Sequence, residues 1–137
     1  MKIFYKTRAT ATGGRSGRTA LDDGSLALDM AMPGSGKTGA NPEQLFAMGY
    51  AACFDNALPV AAKQLGLAPT ATRTSVEVGI GQTAAGGYAL DVDLHVEVHG
   101  LDQSAARKLV EATHQVCPYS NATRGNIDVT VTVTEDE

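Results

Sequence analysis

The chain has 137 residues, the size of one domain, and its 43% hydrophobic and 19% charged residues exclude a disordered or fibrous chain. A formal charge of −4 excludes a general nucleic-acid binder, which needs a basic face, and without eighteen apolar residues in a row no membrane span is expected. Twenty-one alanines, no tryptophan and 5% aromatics make the apolar core thin for this length, a deficit that oligomerisation often completes.

Residues 2–12 alternate, with Ile3, Tyr5 and Thr7 on one face, and predict a strand without the apolar block of a signal peptide. The chain therefore reads as cytoplasmic. Asp23-Gly24 signals a hairpin turn, and Leu26, Leu28 and Met30 at period two predict the strand after it. The stretch 33–41, PGSGKTGAN, reads as a flexible loop. Asn41 as N-cap, Pro42 at the first helical position and Glu43 at the positive end of the dipole then open a helix. It runs to about Leu65, where Gly66 stops it. Residues 45–54, LFAMGYAACF, carry no charge, which predicts a helix buried all round, and Pro59 is expected to kink it.

Strands over 73–82 and 88–99 follow, joined by a hairpin at Ala84-Ala85-Gly86-Gly87. In the second, Tyr88, Leu90, Val92, Leu94, Val96 and Val98 are expected to face inward. Asp102 caps a second helix with Ala105, Leu109, Ala112 and Val116 on its buried face, and Pro118 ends it. Residues 126–134 form a last strand. The order ββ-α-ββ-α-β predicts a single α+β domain over 1–137, mostly antiparallel sheet packed on a central buried helix.

Several motifs lead nowhere. Gly36-Lys37-Thr38 ends like a phosphate-binding loop, but the glycine required five residues before Gly36 is Ala31. His95 and His99 share a strand face with Asp91, Asp93 and Glu97, which simple alternation explains, so no metal is expected. His114 reads as a polar residue on a helix surface. Asn121-Ala122-Thr123 matches a glycosylation acceptor, which means nothing without a secretory signal.

The two cysteines, Cys53 and Cys117, lie far apart in sequence, and in a reducing compartment such a pair is either two buried thiols or a redox pair. Cys53 stands in the most apolar helix, where a buried structural thiol is the ordinary reading. Three features favour chemistry. Cys117 ends a helix just before proline. Arg15 rides on the glycine-rich turn Thr12-Gly13-Gly14-Arg15. Glu43 occupies the first turn of the buried helix and needs a cationic partner. A thiolate attacks peroxide, and an apolar site by itself raises a thiol's pKa. A guanidinium reverses that effect, and a carboxylate fixes the guanidinium's plane. A second thiol then traps the sulfenic acid as a disulfide.

The run Asn41-Pro42-Glu43-Gln44-Leu45-Phe46-Ala47, continued by Gly49-Tyr50-Ala51-Ala52-Cys53-Phe54, resembles the central helix of the organic hydroperoxide resistance proteins of the OsmC superfamily. Val116-Cys117-Pro118-Tyr119-Ser120-Asn121-Ala122-Thr123-Arg124-Gly125-Asn126 resembles that family's second hallmark, and the turn ending at Arg15 its third. The resemblance implies an OsmC-like, intertwined homodimer and a thiol peroxidase that reduces organic hydroperoxides to alcohols. Cys53 matches the peroxidatic cysteine, Cys117 the resolving one, and Arg15 and Glu43 the pair that activates the thiolate. No bound cofactor is implied; dihydrolipoyl groups on lipoylated proteins are the implied reductant. Arg18 is an alternative to Arg15. The 33–41 loop is short for the family, and Pro59 is a second departure. Tyr50 stands where a peroxiredoxin carries Thr or Ser.

Ten helical residues separate Glu43 from Cys53, about 15 Å along the axis and roughly 80° around it. A pair of Arg15 and Glu43 beside Cys53 must therefore come from a partner subunit, or the helix must break, and active sites shared between two chains are expected. Phe46, Tyr50 and Phe54 are the expected apolar pocket residues, which favours alkyl or fatty-acyl hydroperoxides over hydrogen peroxide. The alternative reading is a non-enzymatic module that holds a lipid-like ligand beside two inert thiols.

Overall fold

Two units divide the chain, Met1–Leu45 and Phe46–Glu137, and the computed structural model describes residues 1–135. In the first unit, β1 (Ala9–Thr12), β2 (Arg18–Leu21) and β3 (Ala27–Asp29) form an antiparallel sheet in that order. A 3-10 turn at Gly14–Ser16 joins β1 to β2, and Gly13 and Gly14 enter it at φ 75° and 57°, a region costly for other residues. The strand expected over 2–12 is confined to Ala9–Thr12. Its partner ends at Leu21 opposite Ala9, and Asp22 turns away after its N–H bonds the Arg8 carbonyl, so among the described residues the chain before Arg8 pairs with no strand. Ile3, Phe4 and Tyr5 are exposed there. The loop at 33–41 is pinned at its base by Met30 pairing with Ala40.

The long helix α1 (Pro42–Leu65) forms where its caps predict. Asn41 Oδ1 accepts from the Gln44 N–H at 2.8 Å, and Gln44 Oε1 accepts from the Asn41 N–H at 3.0 Å, a reciprocal capping box. Gly66, at φ 69°, ends the helix. The helix runs on through Pro59 without interruption. It is not buried all round. Tyr50, Phe54, Ala57, Leu58, Ala61 and Ala62 are buried, whereas Met48 and Val60 are 58% and 49% exposed. The lack of charge in 45–54 thus marks two apolar faces, of which one packs within this chain. By length and hydropathy alone α1 would suffice to cross a membrane, which a search for uninterrupted apolar runs overlooks.

In the second unit β4 (Ala71–Gln82) and β5 (Tyr88–His99) pair antiparallel from Ala71↔His99 to Gln82↔Tyr88. β6 (Val129–Glu135) lies beside β5 but parallel to it, an arrangement that requires a crossover. Helices α2 (Gln103–Val116) and α3 (Pro118–Thr123) supply that crossover. Along β5, Val92, Leu94, Val96 and Val98 are buried as their alternation predicts, but Tyr88, expected inward, is 76% exposed at the hairpin end. Asp102 caps α2 through the Ala105 N–H at 2.8 Å. The buried stripe of α2 is Ala106, Leu109, Val110 and Thr113, rotated from the expected one; Val116 is exposed. Thr113 tolerates burial because its hydroxyl donates to the Leu109 carbonyl at 2.7 Å. Pro118 ends α2 and also opens α3, which the sequence reading lacked; proline suits a first helical position.

The core joins the buried face of α1 to the inward residues of β5 and to Ala106, Leu109, Val110 and Cys117. Leu109 has no exposed surface and packs in the same core cluster as α1 and β5. Leu109→Ala is expected to lower stability by about 2–5 kcal/mol, read as a fall in the urea midpoint at unchanged slope.

Candidate active site

Residues from separate segments converge in two places. In the first unit the short turn after β1 carries Arg15, and the opening turn of α1 carries Glu43. Arg15 Nη1 donates to Glu43 Oε2 at 2.8 Å and Nη2 to Oε1 at 2.6 Å, a bidentate fork. The side chains are 38% and 14% exposed. The hydrogen bonds from Arg15 hold the Glu43 carboxyl below its usual range against the opposing effect of burial, and the same bonds raise the guanidinium. Arg18, the alternative arginine, faces its register partner Asp29 on β3 and donates to that carboxylate instead.

In the second unit α1 carries Cys53, and Cys117 is at once the C-cap of α2 and the N-cap of α3. The two sulfurs are 3.9 Å apart as free thiols. A disulfide bond is about 2.05 Å, so closure requires an approach of roughly 2 Å. Cys117 is fully buried and Cys53 half-buried. Backbone bonds hold Cys117 on both sides: its N–H donates to the Thr113 carbonyl, and its carbonyl accepts from the Asn121 N–H, each at 2.9 Å.

Burial pushes the Cys53 thiol pKa up, the Tyr119 peptide N–H pulls it back, and the neighbouring Cys117 adds to the rise. The net direction is upward, so these surroundings favour the thiol. A cation is still required to make the thiolate near neutral pH.

The expected pocket residues separate. Tyr50 and Phe54 have no exposed surface and belong to the core. Their positions on α1 put them on its packed face, in the core against which Cys53 packs. Phe46 is partly exposed and lines a cavity of about 420 Å³ with Pro118, Tyr119, Ala122, Thr123, Asn126 and Ile127. Tyr119 packs edge-on to Phe46, with ring centroids 5.9 Å apart. It also lies so close to α1 that a Cβ on Gly49 would stand 2.5 Å from its hydroxyl, which explains a glycine inside that helix.

Sequence reasoning missed a largely buried polar cluster formed by residues that flank Cys117 and by Tyr50. His114, expected on the surface, is half-buried and its Nδ1 lies 2.8 Å from Ser120 Oγ. Burial, then the nearby Arg124, holds its pKa below the usual imidazole range. Ser120 and Tyr50 meet at 2.7 Å. The only available signal was the spacing of His114 and Ser120, three residues to either side of Cys117. His95 Nε2 lies 3.1 Å from Thr134 Oγ1, and among the described residues no group of three or more His, Cys, Asp or Glu is placed to hold a metal ion.

A sequence model of the OsmC-like protein family matches residues 34–132. The chain is 49% identical over 137 residues to the organic hydroperoxide resistance protein of Xanthomonas axonopodis pv. citri, a match covering 96% of each chain. Its fold is similar to the crystal structure of an organic hydroperoxide resistance protein OsmC from Legionella pneumophila, with TM-score 0.91 and 45% identity over 97% of this chain and 99% of that one. It is also similar to an organic hydroperoxide resistance protein from Elizabethkingia anophelis, with TM-score 0.88 and 47% identity over 99% and 100% of the two chains.

Proposed function

Because the chain belongs to the OsmC-like protein family, with organic hydroperoxide resistance proteins as its near relatives, we propose that it is a cysteine-based peroxidase that reduces organic hydroperoxides to alcohols. One observation carries the reading: two free thiols from distant segments stand 3.9 Å apart, one half-buried and one buried. Cys53 is the nucleophile. Its thiolate attacks one peroxide oxygen, an S–O bond forms as O–O breaks, and the departing alkoxide takes a proton to become the alcohol. Cys53 is left as a sulfenic acid. The Cys117 sulfur attacks it, the S–S bond forms, and hydroxide leaves as water after gaining a proton. A dihydrolipoyl group on a lipoylated protein returns both thiols by exchange and is itself oxidised to the cyclic disulfide.

Arg15, oriented by Glu43, supplies the cation for Cys53. Helix α1 is unbroken between Glu43 and Cys53. Of the two routes that helical spacing leaves, the unbroken helix favours a site shared with a second chain, with a homodimer as the working unit. The exposed apolar face of α1 and the exposed apolar segment at residues 3–5 support that assembly. A recycled dithiol suits the reducing cytoplasm, the location proposed for this protein.

The apolar cavity lined by Phe46 and Tyr119 would favour alkyl and fatty-acyl chains. Steady-state consumption of tert-butyl and fatty-acid hydroperoxides, driven by a dihydrolipoyl system, tests the reading. It is expected to exceed that of hydrogen peroxide by at least about tenfold in kcat/KM, since one well-packed apolar group contributes 1–3 kcal/mol. Retention of both thiols after exposure to excess organic hydroperoxide would favour the ligand-binding alternative.

A further inference from the structure

Ser120 is polar and fully buried, and it bridges two residues that belong to other helices. Its Oγ lies 2.7 Å from the Tyr50 hydroxyl and 2.8 Å from His114 Nδ1. A serine hydroxyl has one hydrogen to give and two lone pairs to receive. Tyr50 is itself fully buried, and among the described residues its hydroxyl meets Ser120 alone, so its hydrogen is used when it donates there. Ser120 then donates to His114, which accepts at Nδ1 as a neutral imidazole with its proton on Nε2. The depressed pKa of His114 agrees with the neutral form.

The spacing gives this relay a purpose. Tyr50 lies three residues before Cys53 on α1, and His114 and Ser120 lie three residues before and after Cys117. Residues three apart on a helix share a face. The relay therefore ties both flanks of the Cys117 junction to the turn of α1 that precedes Cys53. Arg124 braces the same junction from behind, with Nη2 donating to the His114 carbonyl and Nη1 to Asn121 Oδ1.

We propose that the Tyr50–Ser120–His114 relay is a positioning device that holds the Cys117 sulfur against Cys53 and so sets the rate at which the two thiols close to a disulfide. The three residues are positioning residues; none reacts. This inference rests on the two-thiol reading above, and its test separates the two.

Reduced wild-type protein and the variants Ser120→Ala, Tyr50→Phe, His114→Leu and His114→Asn are first compared by circular dichroism and thermal unfolding. Each is then oxidised in two arms, by stoichiometric diamide and by tert-butyl hydroperoxide, with quenching by alkylation and mass analysis. Diamide takes two electrons and two protons from the thiols, so closure in that arm needs no peroxide. Ser120→Ala and His114→Leu are expected to close about tenfold more slowly, the scale of one lost buried hydrogen bond. In the peroxide arm they accumulate dimedone-reactive Cys53. His114→Asn offers an amide oxygen in place of Nδ1 and is expected to stay within about threefold of wild type. Tyr50→Phe, the mildest change, keeps the test open if another variant fails to fold, and slower closure in it also supports the relay. Closure at the wild-type rate in folded Ser120→Ala or Tyr50→Phe overturns the proposal, as does a His114→Asn protein as slow as His114→Leu. A wild-type protein inert to organic hydroperoxide, yet closing with diamide in a Ser120-dependent way, removes the peroxidase reading and leaves the relay standing.

Discussion

Cys53→Ser is expected to reduce hydroperoxide turnover to background, a loss on the order of a thousandfold or more, because a serine hydroxyl does not ionise near neutral pH and the remaining thiol, Cys117, has no exposed surface. Cys117→Ser separates the two steps. It retains one attack per site, consumes about one equivalent of peroxide, and then stalls with Cys53 as a sulfenic acid open to further oxidation. The geometry requires this asymmetry: Cys53 is half-buried and reachable, whereas Cys117 has no exposed surface and sits 3.9 Å behind it. Peroxide consumption without reductant, followed by counting free thiols, reads both variants. Wild type loses two thiols together, Cys117→Ser loses one, and Cys53→Ser loses none. Turnover surviving in Cys53→Ser would remove the mechanism.

Arg15→Ala is expected to cost about ten- to a thousandfold in the rate of Cys53 attack at neutral pH. Burial already pushes the Cys53 thiol upward. An opposite charge within reach lowers a pKa by about 1–3 units, and each unit changes the thiolate fraction tenfold while pH stays below the pKa. The deficit should therefore shrink as pH rises, since hydroxide then does what the guanidinium did. A loss of rate that is constant across pH would instead assign Arg15 to the departing oxygen. Glu43→Gln keeps the cation but weakens the fork, so a smaller loss, about tenfold, is expected. The fork itself sets no pH limit in the working range. Glu43 is held below the ordinary carboxylate value, so its contribution is complete above the unfolded carboxylate pKa of about 4.3 and disappears only as pH falls through the lower folded value. Acid loss of activity above about pH 5 is thus expected to follow Cys53 rather than Glu43. The pH profile of alkylation at Cys53, compared between wild type and Arg15→Ala in a Cys117→Ser background, checks both statements.

Local signals were readable before any fold was known. Asn41, Pro42 and Gly66 bounded α1, Asp102 started α2, and alternation along β5 named four of its buried residues, because caps and periodicity depend on neighbours within a turn or two. The bidentate meeting of Arg15 with Glu43 and the approach of Cys117 to Cys53 were expected from residue chemistry and motif resemblance together, since no local rule joins residues 28 or 64 positions apart. Where a pattern needed a partner to act on, the reading failed. Residues 2–8 alternate, but the hairpin gives them no strand to bond. Tyr50 and Phe54 looked like pocket residues and are core, because composition does not say which face of an apolar helix is covered.

From the sequence alone came the α+β class, the approximate limits of α1, α2, β4 and β5, and the set of reactive residue types, all of which follow from short-range propensities and residue chemistry. Tertiary structure alone decided the parallel placement of β6, the helix that begins at Pro118, the buried face of α2, and the relay joining Tyr50, Ser120 and His114. The physical reason is that a hydrogen bond or a buried face belongs to two segments at once, and the position of the second is fixed only when the whole core closes.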